Sequence, residues 1–365
     1  MRSLQHISLS VLFILMTSVA FAAPAAKLQG AHADKKALPR SCQACHRGMQ
    51  MVIDGEEGTC LACHGSDALR QTMVRKGFLK DRGVADLRDI ESELRKPYNH
   101  PVLTVRGAHR STETLPEEVT NAKRHSECVD CHDPHLTEKE KPFRGIKGRR
   151  VINQMAEIAH EYELCYKCHS TSVNLPAFAT DKAAEFRTTN PSFHPVEGEG
   201  RLAFVVSLKE PYAARKASVK DLTTISCSDC HGSDAADGPK GPHGSNFSGL
   251  LRYNYEMDDA RSESEYTYAL CYECHSRTSI LANESFAYHA LHIEGNRSSG
   301  QLGTSCFTCH DAHGSTVNPY LLRFNEEFVR PNSEGKLEYL STGVAARHGS
   351  CSLTCHGSEH KIRAY

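Results

Sequence analysis

The chain has 365 residues, with 43 basic and 44 acidic side chains, a formal net charge of −1, no Trp, 13 Phe, 13 Tyr, 16 Cys and 22 His. That balance carries no strongly basic surface of the kind that binds nucleic acid. Aromatics are also too few to fill two or three conventional cores, so something besides side chains is expected in the interior.

The chain opens with Arg2, a short apolar run from Leu9 to Met16, and the small residues Ala20 and Ala22 around Phe21. This pattern predicts an export signal over 1–22, removed in the mature protein. The run is too short to span a bilayer and no second one follows, so no membrane span is expected in the mature chain. The expected location is the periplasm or the outer surface.

From there the cysteines set the pattern. They fall in pairs followed at once by His: Cys42, Cys45 and His46; Cys60, Cys63 and His64; Cys128, Cys131 and His132; Cys165, Cys168 and His169. The series continues with Cys227, Cys230 and His231; Cys271, Cys274 and His275; Cys306, Cys309 and His310. The last set, Cys351, Cys355 and His356, has one extra residue between its cysteines and reads as the same motif with a wider loop. Seven CxxCH and one CxxxCH use every cysteine in the chain. CxxCH is the attachment signature of haem c: two thiols add across the porphyrin vinyls and the adjacent His ligates iron from below. Zinc sites and thiol exchange also use paired cysteines, but neither requires a His after every pair or eight copies. The expected cofactor load is therefore about eight covalent haems c.

A six-coordinate haem needs a second ligand, usually His or Met. Beyond the eight motif His and His6 of the signal, thirteen His remain. Internal repetition narrows them. His100 and His194 each open a His-Pro-Val triplet about thirty residues before a CxxCH, and Phe286 to His292 takes the corresponding place in the next unit. His135, His243 and His313 each follow the first motif of a unit. The distal candidates are His100, His135, His194, His243, His313 and one of His289 or His292, with His292 preferred, completed by His32 and His360. His125, His348, His109 and His160 are rivals, and the sequence does not say which His serves which iron. Met49 stands three residues after His46, where the second unit has His135 after His132, and is a further candidate for one His/Met haem.

With about forty residues per haem, the porphyrins themselves are expected to form the core. The expected fold is a multihaem cytochrome c of loops and short α-helices packed around a chain of haems, with little or no β-sheet. The motifs are expected on short helical turns. The clearest helix is expected from Asp81 to Lys96, where Val84, Leu87, Ile90 and Leu94 recur at helical spacing before Pro97. After the signal, the repeat divides the chain into two-haem units at 23–96, 97–190, 191–284 and 285–365, modules of one haem chain rather than independent folds.

These units resemble the doubled-CxxCH multihaem cytochromes typical of metal-reducing and other anaerobic bacteria. The resemblance is carried by Arg124 to His135 (RHSECVDCHDPH), Thr304 to Ser315 (TSCFTCHDAHGS) and His348 to His360 (HGSCSLTCHGSEH). It implies an extracytoplasmic electron carrier for anaerobic respiration or extracellular electron transfer, with redox proteins or extracellular acceptors as partners. It also admits assembly into a filament or complex in which one protomer donates an axial His to the next. With the haem propionates ionised, the loaded chain would carry roughly nine to ten negative charges, a surface suited to basic partners or minerals. The alternative is an octahaem reductase of nitrite, hydroxylamine or a sulfur oxyanion. Such an enzyme needs an open iron with acid or base groups beside it, and known ones often replace a motif His with Lys. Here all eight motifs end in His, and the chain reads as an electron carrier rather than an enzyme.

Overall fold

A computed structural model of the chain describes residues 28–48, 50–53, 56–84, 87–103, 125–149, 155–170, 175, 179–202, 204–213, 224–296, 298–342 and 348–365. The expected signal at 1–22, Met49 and His109 lie outside the described residues.

Seven of the motifs sit on short helical turns: Ser41–Cys45, Glu56–His64, Cys128–Cys131, Glu161–Cys165, Cys227–Cys230, Ala269–Cys274 and the 3₁₀ turn Cys306–Thr308. Their closure is repeated: the backbone N–H of His46, His132, His169, His231, His275 and His310 each donates to the carbonyl of the first Cys of its own motif. Acidic residues three positions into two of these turns, Asp130 and Asp229, reach back to the N–H of Glu127 and Ser226, satisfying donors that open a helix.

The expected helix over Asp81 to Lys96 is not continuous. Helical segments run over Asp81–Val84 and Ile90–Leu94, and the second starts anew because the Asp89 carboxylate accepts the Ser92 N–H at 3.1 Å as an N-cap. The apolar residues of the two pieces also part company. Val84 and Leu87 pack with Ala62, Met73 and Leu79, whereas Ile90 and Leu94 pack with Leu61 and Val102. Four small clusters of this kind, each touching a motif cysteine (Cys128, Cys63, Cys227 or Cys306), stand in place of one large core.

The units are strapped together by short antiparallel pairings. Tyr98–Asn99 pairs with Gly244–Ser245, and Ser192–Phe193 pairs with Gly314–Ser315. Backbone approach is close in both straps. A Cβ on Gly244 would stand 1.8 Å from the Glu93 carbonyl oxygen, and one on Gly314 would stand 2.1 Å from that of Glu185. Buried Ser245 and Ser315 then donate to the carbonyls of Leu251 and Leu322 at 2.6 and 2.8 Å.

Little sheet is present over most of the chain, but the C-terminal region corrects the expectation of none. Gly349–Cys355 is the central strand of a four-stranded antiparallel sheet, flanked by Glu338–Ser341 and Ser358–Ala364, with Val329–Arg330 pairing its far end. Fully buried Val329 and buried Tyr339 and Leu353 anchor this sheet. The eighth motif thus lies on a strand and not on the expected helical turn. Among the described residues no helix is long and apolar enough to cross a membrane.

Candidate haem-binding histidine pairs

The straps bring histidines face to face across long stretches of sequence. His32 donates its Nδ1–H to the carbonyl of Pro134 at 2.8 Å, His100 to that of Pro242 at 2.6 Å, and His194 to that of Ala312. In each case the accepting carbonyl immediately precedes a second ligand candidate: His135, His243 or His313. One contact therefore positions two imidazoles, which point to two different motifs.

The outcome is a regular set of pairs. His46 faces His135 with ring centroids 6.0 Å apart, His132 faces His243 at 6.3 Å, and His231 faces His313 at 6.3 Å. His64 faces His32 at 6.0 Å, His169 faces His100 at 6.4 Å, and His275 faces His194 at 6.4 Å. His310 faces His289 at 6.4 Å. The rule behind the first six was not visible in the sequence. The first motif of a unit takes a His from the following unit, and the second motif takes one from just ahead of its own unit.

These separations fit an iron. Two metal–nitrogen bonds of about 2 Å, with about 1.15 Å from each nitrogen to its ring centre, predict a centroid separation of about 6.3 Å. Ring orientation also sorts with position. The planes are near parallel for the first motifs, at 3°, 18° and 0°, and crossed for the second motifs, at 83°, 64° and 50°.

The imidazoles are held in the ligating form. A carbonyl can only accept, so a ring whose Nδ1 meets one carries its proton there and leaves Nε2 for a metal. His132, His231 and His310 make this bond to Pro142, Gly249 and Tyr320 at 3.1, 2.7 and 2.9 Å. Ser207 and Ser285 hydroxyls meet Nδ1 of His275 and His289 at 2.9 and 3.2 Å. Burial, helped by neighbouring imidazoles, lowers His64, His169, His275 and His289 to about 4, which keeps them neutral at neutral pH. Burial likewise lowers His243 to about 4, followed by His132, His100 and His64. His313 differs: its Nδ1 lies 3.3 Å from Asp311 and 3.5 Å from Glu185. Carboxylates so placed make an imidazole a stronger donor to a metal.

The cysteine pairs suit neither zinc nor thiol exchange. Burial pushes the thiols of Cys131, Cys230 and Cys309 up to about 12 and those of Cys63, Cys351 and Cys355 up to about 11, whereas both chemistries need thiolates. Among the described residues the one convergence of three or more metal-ligating groups is Glu185, Asp311 and His313, with no cysteine in it.

Successive motifs are neighbours in space. The thiols of Cys165 and Cys227 are hydrogen bonded, as are those of Cys271 and Cys306. Cys45 interacts with Cys63, Cys131 with Cys168, Cys230 with Cys274, and Cys309 with both Cys351 and Cys355. Cys128 packs with Leu61, which ties the second motif to the third. The motifs therefore run through the molecule in chain order.

The remaining candidates are placed elsewhere. His160 stacks on Tyr162 at 5.4 Å, and His348 donates to the carbonyl of Tyr365 at 2.9 Å. His292 faces His360 at 6.5 Å, so the choice between His289 and His292 dissolves: each faces a different histidine.

Comparison with known families agrees with this site. The model for outer membrane cytochrome MtrC/MtrF-like domains II/IV matches residues 37–244, more than half of the chain. The doubled CXXCH motif model matches residues 220–279. No curated protein and no solved structure matches the chain.

Proposed function

The chain belongs to the outer membrane cytochrome MtrC/MtrF-like (domains II/IV) family of multihaem c-type cytochromes, and on that premise we propose that it is an eight-haem electron conduit. The sixteen motif cysteines tether the haems, and His46, His64, His132, His169, His231, His275 and His310 ligate seven irons from the attachment side. His135, His32, His243, His100, His313, His194 and His289 close the same seven irons from the other side. Each haem supplies an iron that gains and loses one electron without exchanging ligands.

The observation that carries this reading is the set of seven face-to-face histidine pairs following one another in chain order. The Nδ1 bonds to carbonyls hold the rings against rotation, and burial keeps them unprotonated. With histidine on both faces, none of these seven positions is left for nitrite, hydroxylamine or a sulfur oxyanion, which favours the carrier over the reductase. Each of the seven finds its second histidine within the chain, so nothing in them calls for a ligand donated by another protomer. The family places such chains at the outer membrane. The proposed partners are accordingly redox proteins and extracellular acceptors, reached after export by the 1–22 signal.

The test is a pair of assays on the purified holoprotein. Dithionite-reduced protein mixed with a ferric chelate or a ferric oxide suspension should reoxidise all its haems. The same protein with an electron donor should not turn over nitrite or hydroxylamine, and steady turnover would contradict the carrier assignment.

A further inference from the structure

The eighth motif stands apart, and its reading rests on the conduit function proposed above. In a helical turn residues i and i+3 share a face, which is the CxxC spacing. On a strand, side chains alternate, so residues three apart point to opposite faces and residues four apart point to the same one. Cys351 and Cys355, four apart on the strand Gly349–Cys355, therefore share a face with Leu353. The extra residue of CxxxCH is what a strand-borne pair of thioethers requires.

The same alternation moves the ligand. His356 follows Cys355 directly and sits where the hairpin turns, with φ of 46°. Its Nε2 lies 2.6 Å from Oδ2 of Asp259, a side chain only 4 % exposed. The other oxygen of that carboxylate accepts the Ser305 N–H at 2.7 Å and the Thr308 hydroxyl. His360, by contrast, is directly opposite Leu353 in the antiparallel register, just as Ser358 is opposite Cys355. Directly opposed residues point to the same side of a sheet, so His360 shares the face of the two cysteines. Its ring centroid is 6.5 Å from that of His292, close to the 6.0–6.4 Å of the seven pairs above. The Nδ1 of His292 donates to the carbonyl of Tyr288 at 2.8 Å, which leaves its Nε2 to ligate.

We propose that the eighth iron is held between His360 and His292, and that His356, though it completes the attachment motif, is a structural residue locked onto Asp259. The last haem then has both axial positions filled, like the other seven, and the chain ends in a conduit haem and not in an open one.

The experiment uses full-length holoprotein: wild type, His360→Ala, His292→Ala and His356→Ala. Intact mass counts the haems. Low-temperature electron paramagnetic resonance of the oxidised protein and carbon monoxide binding to the reduced protein count irons with an open position. His360→Ala and His292→Ala should each keep eight haems and open one of them, while His356→Ala should open none. A silent His292→Ala, a silent His360→Ala, or an opened iron in His356→Ala carrying eight haems would overturn the assignment. If His356→Ala acquires only seven haems, the other two variants decide, because their attachment motif is whole. An open iron in both supports the assignment, and none in either overturns it. Failure of the conduit reading would look different, because wild type itself would then carry fewer than eight haems or a high-spin iron.

Discussion

Replacing Asp234 with alanine should loosen the strap that holds His100 and His243. One Asp234 oxygen accepts from Lys96 Nζ at 2.7 Å and from the Asn246 N–H at 3.2 Å, and the other accepts from Asn246 Nδ2 at 2.9 Å. Lys96 also meets Glu93 at 2.7 Å. The side chains of Lys96 and Asp234 are 16 % and 14 % exposed, so solvent screens this network only partly. A hydrogen bond to a charged group contributes about 1.5–3 kcal/mol. Losing one such bond to lysine and two weaker ones, discounted for residual exposure, costs about 2–3 kcal/mol. Burial pushes the Asp234 carboxyl up, but the bonds from Lys96 and Asn246 outweigh it and hold the group below its ordinary value. A carboxylate so depressed contributes its full stability above the unfolded value of about 4, and that contribution is lost as pH falls through the folded one. The Lys96 side is raised, so its share is complete below about 10 and is lost only as pH rises through the raised value. The penalty of Asp234→Ala should therefore be flat from pH 5 to 9 and shrink in acid. Amide hydrogen exchange on peptides covering 93–103 and 242–251 measures it, with an expected acceleration of about 30-fold at neutral pH for about 2 kcal/mol of local opening. Unchanged protection, or a penalty that persists undiminished below about pH 3, would refute the strap argument.

Alanine at His135, His243 or His313 should leave the iron at His46, His132 or His231, respectively, with one open position. Each variant should bind one carbon monoxide per chain where wild type binds none. Gly244→Ala and Gly314→Ala should each destabilise by about 1–3 kcal/mol, because the added Cβ meets backbone oxygen that cannot rotate away. Thermal melts followed in the Soret band would register the loss, and an unchanged midpoint would count against the close approach of the straps.

The attachment chemistry was legible because it is written in adjacent residues: sixteen cysteines, each pair followed by His. The shortlist of second ligands was legible too, since repetition marked His100 and His194, then His135, His243 and His313. Their pairing was not. It depends on straps that join Tyr98–Asn99 to Gly244–Ser245 and Ser192–Phe193 to Gly314–Ser315, over distances in sequence at which no local pattern operates. The break in the expected Asp81 to Lys96 helix had a local sign, Asp89 standing three residues before Ser92 and Glu93 at an N-cap, which helical spacing of the apolar residues overrode. The C-terminal strand also had its sign. Cys351, Leu353 and Cys355 alternate with Ser350, Ser352 and Thr354, a period of two that reads as strand. Reading the extra residue as a wider loop hid it.

Low-temperature electron paramagnetic resonance of the fully oxidised holoprotein, with the haem count from intact mass, tests the central claim most directly. Axial ring orientation sets how far the iron d orbitals split. Near-parallel pairs (first motifs) and crossed pairs (second motifs) should therefore give two families of low-spin signal. Eight haems, both low-spin families and no high-spin iron are the predicted result. Fewer than eight haems, or a high-spin signal that shifts on adding nitrite or hydroxylamine, would contradict it.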